Sequence, residues 1–153
     1  MKVSVSDVAD YLLQKSNRNS NRSITHLKLQ KLVYYVQAWH TAIKGEPLFA
    51  EEIEAWVHGP VCPELYATYK QHGFNEIDPP QTIQNSLSKS QKELIDEVWQ
   101  MYGGFSGRTL ETLTHKEDPW INARGSISEH TPSNSTISID SMGKYYKKLL
   151  EGN

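Results

Sequence analysis

Cys62 is the single cysteine in this chain of 153 residues, so its thiol is the first candidate for a nucleophile. A catalytic thiolate needs a histidine base within hydrogen-bond reach. His58 lies four residues earlier, but the intervening Gly59 and Pro60 prevent the two side chains from sharing a helical face. Because a free cysteine more often behaves as a small buried hydrophobic residue, we predict that Cys62 packs in the core.

The six histidines are scattered, and none shows the H-x-x-x-H or H-E-x-x-H spacing of a metal site. His115 precedes Glu117 and Asp118 closely enough that its imidazole could lie beside carboxylates for acid–base work. Such pairs also serve as structural hydrogen bonds. Neither a phosphate-binding glycine loop nor a serine elbow is present. The sequence therefore predicts a protein that is not an enzyme and needs no metal or cofactor, with chemistry at His115 as the alternative.

Charged residues are distributed unevenly, although the net charge is only −2. Residues 11–45 contain six basic residues and no acid, whereas residues 46–80 contain seven acids and one lysine. Clustered cations suit phosphates, but no helix-turn-helix or zinc-finger pattern accompanies them, which makes nucleic-acid binding the weaker hypothesis. Either the two runs pair within the fold, or the first forms a basic face that contacts a partner.

Apolar periodicity predicts the helices that would position these side chains. A helix over 5–15 is followed by a polar loop, and a long central helix over 25–44 ends at Gly45 and Pro47. Because apolar residues of this helix, Ile43 among them, lie on more than one face, we expect it to pack on several sides.

The remaining segments complete a mainly α fold with a short two-stranded β-hairpin. Two brief strands are predicted at 47–49 and 53–57, with a break at 58–60. Further helices are predicted over 63–72, 90–102 with Met101 facing inward, after Ser106, from an N-cap at Asp118, and over 140–151 with Leu149 facing inward. The polar segment 124–138 is predicted to be a mobile loop or to order on a partner. We expect residues 1–153 to form one compact helical bundle around the central helix.

The N-terminal residues lack the apolar core of a signal peptide, and no apolar run approaches the roughly 20 residues of a membrane span. A single cysteine suits a reducing compartment. We therefore expect a cytoplasmic protein that does not bind membranes.

Four segments carry a more specific signal: 27–39 (LKLQKLVYYVQAW), 47–61 with PLF and EIEAWVHGPV, 63–70, and 113–120 (LTHKEDPW). Their order and spacing resemble the Panacea domain, the SocA-like antitoxin domain of bacteria and their prophages, over nearly the whole chain. The resemblance implies a structural role for the motif residues Leu29, Gln30, Gly59, Pro60, His115, Pro119 and Trp120.

The resemblance also implies a function, that of an antitoxin that neutralises a toxin encoded by an adjacent gene, largely by direct protein–protein binding. Two alternatives stay open. One is a proteolytic adaptor that delivers the toxin to the ClpXP protease, and the other is an enzyme that reverses the action of the toxin through His115.

The residues expected to contact the partner are four cations and three aromatics: Arg18, Arg22, Lys28, Lys31, Tyr34, Tyr35 and Trp56. Large amphipathic aromatics are favoured anchors in protein interfaces. Tyr35 and Trp56 would suit the core equally well, because aromatic residues of this kind are often buried.

Overall fold

The computed structural model describes residues 2–83 and 86–152. In these ranges the elements are α1 (Val5–Lys15), α2 (His26–Lys44), β1 (Glu54–Trp56), β2 (Gly59–Val61), α3 (Pro63–Tyr69), a 3-10 turn (Lys70–His72), α4 (Lys89–Tyr102), α5 (Gly107–Thr114), α6 (Asp118–Arg124) and α7 (Ile139–Leu150). The prediction of a mainly α fold with a small β-hairpin is confirmed. No helix in the described ranges has both the length and the apolar character needed to cross a bilayer.

Helix ends follow local capping chemistry. The hydroxyl of Ser4 accepts from the backbone N–H of Asp7, whose carboxylate accepts from Ser4 in return, and Ser88 and Gln91 form the same capping box at α4. Gly45 ends α2 with a φ of 81°, a left-handed conformation that glycine adopts without steric cost. The predicted bounds of α1 and the predicted end of α2 are confirmed.

Helix α2 is the centre of the fold, and it packs against α1, α3, α4, α5, α7 and β2. Of residues 26–41, every one except Leu27 is buried. An amphipathic surface helix buries one apolar stripe, whereas α2 has no solvent-facing side over these four turns. The expectation that it packs on several sides is confirmed.

The hairpin differs from the predicted one. Residues 47–49 do not form a strand, and Glu54–Trp56 pairs instead with Gly59–Val61, so that Ala55 lies opposite Pro60. Residues 59 and 60 do not interrupt the hairpin as expected, because they belong to its second strand. The chain reverses in the two-residue turn before them, and Gly59 adopts a φ of 103° there. A two-stranded sheet has two edges, and Pro60 can therefore be accommodated without losing a bond to a third strand.

A side chain takes the place of a neighbouring strand at residues 48 and 49. The amide oxygen of Gln37 accepts from the backbone N–H groups of Leu48 (2.8 Å) and Phe49 (3.3 Å), and its nitrogen donates to the carbonyl of Phe49 at 2.8 Å. Buried backbone groups need such partners. The extended segment is therefore stabilised by α2 rather than by a sheet.

The polar segment 124–138 contacts the hairpin. The N–H of Ala55 donates to Ser135 (2.7 Å), and the N–H of Ile137 donates to the carbonyl of Ile53 (2.8 Å). Ile137 and Arg124 are buried, so part of this polar segment packs in the fold without a partner. Its mobility stays a prediction.

Candidate functional site

Residues of α2 bind the backbone of the hairpin directly. The amide oxygen of Gln30 accepts from the N–H of Cys62 at 2.8 Å, and Lys31 Nζ donates to the carbonyl of Pro60 at 3.0 Å. Cys62 is buried as predicted, and Leu29 is fully buried beside them. The α2 side of the hairpin is thus fixed by side-chain to main-chain hydrogen bonds.

Residues of α6 hold the other side. Trp120 Nε1 donates to the carbonyl of Trp56 at 2.8 Å, and the guanidinium of Arg124 donates to the carbonyl of Ala55 at 2.9 Å. The imidazole of His115 stacks on Trp120 with ring centroids 4.1 Å apart, and burial lowers the pKa of His115. Pro119 is buried in the first turn of α6. The role of Arg124 could not be predicted, since an arginine that is buried against backbone carbonyls has no local sequence pattern.

The N-cap of α6 is Glu117 rather than the predicted Asp118, and its carboxylate belongs to the core. It accepts from the hydroxyls of Tyr35 and Tyr146, both at 2.8 Å, and the hydroxyls of Tyr146 and Tyr34 are 3.1 Å apart. Burial raises the pKa of Glu117. Tyr34 is buried, so the expectation that it is exposed was wrong, and of the two positions left open for Tyr35 the core is the one observed. The hydroxyl of Tyr35 satisfies the buried carboxyl group directly, whereas that of Tyr34 contacts Tyr146.

Gly59 lies where a side chain would collide with Lys31. A Cβ built at Gly59 would be 2.8 Å from Lys31 Cε and 3.0 Å from Thr114 Oγ1, at a φ of +103°. We expect Gly59→Ala to lower the free energy of unfolding by about 2–3 kcal/mol, from strain at positive φ and from the collision. Urea unfolding monitored by tryptophan fluorescence measures this loss.

Gly45 provides the control for that experiment. It also has positive φ, but nothing lies within 4 Å of a Cβ placed there. Gly45→Ala should therefore lower the free energy of unfolding only by the strain at positive φ, about 1 kcal/mol. Equal losses for the two variants would contradict the collision at Lys31.

Two of the predicted partner-binding cations bind the C-terminal end of α4 instead. Arg22 Nη1 donates to the carbonyl of Trp99 at 3.0 Å, and Lys28 Nζ donates to the carbonyl of Gly103 at 2.7 Å. Cations stabilise the unpaired carbonyls at a helix C-terminus. Lys28 and Lys31 are buried, so the expectation that they form an exposed basic face was wrong. Burial lowers the pKa of Lys28 to about 8.

Arg18 remains at the surface, where it connects the basic run to the acidic one. Its guanidinium lies 3.2 Å from Glu76 Oε1 and also contacts Asp78. Through Arg18 the basic run contacts the acidic run within the fold, which was one of the two hypotheses for the uneven charge.

The surface beside the hairpin carries a continuous row of rings, which we call the aromatic strip. Its members are Trp56, Tyr66, His26, Tyr69 and His72, with successive ring centroids 5.0, 5.1, 6.2 and 5.8 Å apart. Tyr66 is exposed, and Trp56 and Tyr69 are half-buried. Of the seven residues predicted to contact a partner, Trp56 alone belongs to this strip.

Phe74 extends from the turn that follows His72 and is 96% exposed. The turn itself is held in place, since the N–H of Asn75 donates to the carbonyl of His72 at 3.0 Å and the N–H of Ile77 donates to Ile24 at 2.8 Å. The sequence prediction missed Phe74. Its signal is an aromatic residue directly after a glycine, outside any apolar periodicity.

A cleft of about 490 Å³ adjoins the other end of the strip. It is lined by Trp56, Val57 and His58 of the hairpin and by residues 132–134. His58 is largely exposed and pairs with Glu111 at 3.1 Å. In the described ranges no group of three or more His, Cys, Asp or Glu residues is placed to hold a metal ion. The strip, Phe74 and the cleft together have the composition of a protein-binding surface.

Comparison with known proteins gives two matches. A family model described as "Antitoxin SocA-like, Panacea domain" matches residues 29–121. The antitoxin SocA of Caulobacter vibrioides (strain NA1000 / CB15N) is 38% identical over 66 residues, which is 43% of this chain. That match spans 35% of the length of the Caulobacter protein. No solved structure matches the chain.

Proposed function

The chain belongs to the SocA-like antitoxin family with a Panacea domain, and from this premise we propose that it neutralises a cognate toxin by binding it directly in the cytoplasm. The toxin in this proposal is the product of an adjacent gene. The observation that supports it best is Phe74, a large aromatic side chain that is 96% exposed on a turn held in place by backbone hydrogen bonds.

The aromatic strip supports the same proposal. Interface anchors are enriched in aromatic residues that cluster and are surrounded by contacts that exclude water. Phe74 lies at one end of the strip, and Trp56 connects its other end to the cleft. A toxin that offers an apolar pocket to Phe74 and a flat surface to the rings would bury the whole row.

Co-expression with the adjacent toxin gene tests this function. Because binding is stoichiometric, we expect full protection of growth only when the antitoxin is present in at least equal amount to the toxin. Tagged purification should recover a complex near equal stoichiometry. The measurements are growth at graded expression ratios and the mass of the purified complex.

Other outcomes would separate the alternatives. Protection that requires ClpXP and lowers toxin levels would support the proteolytic adaptor. Protection at far less than equal amount, lost in a folded His115→Gln variant that still binds, would support the enzyme. Absence of protection at any ratio would contradict the antitoxin function.

A further inference from the structure

A second uncovered apolar surface lies at the other end of α2. Its floor is formed by Trp39, Leu94 and Val98, and its volume is about 370 Å³. Three large side chains form the rim, namely Ile43 (45% exposed), Met101 (50%) and Leu150 (55%). We call this surface the acidic groove, for the charges described below.

The exposure of these rim residues is not explained by the fold. Sequence periodicity places Ile43 and Met101 on apolar faces, yet no element of residues 2–83 and 86–152 covers them. Scattered exposed hydrophobic residues are ordinary, but a cluster around one groove is typical of a binding surface. Met101 also suits a variable partner, because its flexible thioether adapts to different shapes.

The charges at the rim favour one kind of occupant. Glu97 lines the groove, and Glu93, one turn earlier on α4, lines the adjoining cleft that shares Glu97 with it. Both are exposed, and neither forms an ion pair in the described part of the chain. Like charges at this spacing destabilise an isolated helix. Two cations are near them: Lys44 at the end of α2 lines the same adjoining cleft, and Lys89 lies one turn before Glu93 on α4. Two unpaired carboxylates beside an apolar floor attract a basic, partly apolar segment.

We propose that the acidic groove binds a basic amphipathic α-helix of the toxin, an inference that rests on the proposed function. Apolar side chains spaced three and four residues apart would enter between Ile43, Met101 and Leu150, as in other helix-in-groove complexes. Lysine or arginine residues on the polar face of that helix would pair with Glu93 and Glu97. A second copy of the chain is the poorer occupant, because it brings the same acidic rim.

Designed peptides test the chemistry of the groove in the full-length protein. Two helices of about 18 residues would share one leucine face and carry either lysine or glutamate on the polar face. Calorimetry should show the lysine peptide binding about tenfold more tightly than the glutamate peptide, from two solvent-exposed ion pairs. The Glu93→Lys/Glu97→Lys double variant should reverse this preference.

The control variant is Glu51→Lys/Glu52→Lys, which changes the net charge equally but lies away from the groove. It should keep the preference for the lysine peptide. If the control reverses the preference as well, or if Glu93→Lys/Glu97→Lys does not, long-range charge rather than the groove selects the peptide, and the inference is overturned.

The toxin itself separates the two proposals. We expect Glu93→Lys/Glu97→Lys to weaken toxin binding about tenfold and the lysine peptide to compete with the toxin. A toxin that binds the wild type and this variant equally overturns the groove and leaves the antitoxin function standing. A toxin that does not bind the wild type overturns both. A dimer that Met101→Lys dissociates would show a second copy in the groove and would also overturn the inference.

Discussion

The Phe74→Ala variant is expected to lose about a hundredfold in affinity for the toxin while its thermal stability stays unchanged. Truncation of an aromatic anchor commonly weakens an interface by 2 kcal/mol or more, and a hundredfold loss corresponds to about 2.7 kcal/mol. Phe74 is 96% exposed, so the folded chain loses almost no packing when the ring is removed. Calorimetric titration with the toxin and a thermal melt of the free variant measure the two quantities.

Phe105 provides the matched control. It is also an exposed phenylalanine, but it follows the end of α4 and is not part of the aromatic strip. Phe105→Ala should keep the affinity for the toxin, with a small loss of thermal stability because its ring is 45% exposed rather than 96%. If Phe74→Ala binds the toxin as tightly as this control does, Phe74 is not an anchor of the toxin-binding surface.

Replacing Lys31 by methionine is expected to stabilise the protein at pH 7 by about 2 kcal/mol, because removing a buried ion is often favourable when an apolar residue of similar volume takes its place. The side chain is fully buried, and among the residues that the structure describes its one hydrogen-bond partner is the carbonyl of Pro60. Burial lowers the pKa of Lys31 to about 7. Folding therefore disfavours the protonated form of Lys31.

The same residue sets the pH dependence of stability. Between about pH 7 and the ordinary lysine pKa of 10.5 the unfolded chain binds more protons than the folded one, so wild-type stability rises with pH in that window. Lys31 should contribute roughly 3 kcal/mol between pH 7 and 9.5, with Lys28 acting in the same direction above pH 8. The measurement should stop at about pH 9.5. Burial raises the pKa of Tyr102 to about 12, so at higher pH unfolding releases tyrosine protons and stability changes in the opposite direction.

Urea unfolding at several pH values checks this dependence. The increase in the free energy of unfolding with pH should be much smaller for Lys31→Met than for the wild type. The Lys44→Met variant, which changes an exposed lysine at the end of the same helix, should keep the wild-type increase. A Lys31→Met variant with the slope of the wild type would mean that the buried ammonium is not the titrating group.

The helices were predictable because their signals are local. Apolar periodicity, the N-caps Ser4 and Thr25 and the glycine after Lys44 define α1 and α2 without reference to the rest of the chain. The strands of the hairpin were predicted at the wrong residues. Their register depends on a turn at residues 57 and 58 and on Gln30, which binds the hairpin from 32 residues away.

The candidate site was mostly beyond prediction. Lysine and tyrosine side chains on α2 look like surface residues in the sequence, since lysine is almost never fully buried unless paired. Here Lys31 and Tyr35 have their partners on distant segments, Pro60 and Glu117. The exposure of Phe74 was missed for a different reason. The sequence around an isolated aromatic residue does not show whether its ring is buried.

Helix α2 also fixes the distance between the two surfaces. His26 belongs to the aromatic strip and Ile43 to the acidic groove, and 17 residues of helix separate them by about 26 Å. Contacts at one surface would hold a toxin that spans this length at a high effective concentration for the other, so two weak contacts would combine into a tight one. A smaller toxin would use one surface only, and its affinity would then depend on that surface alone.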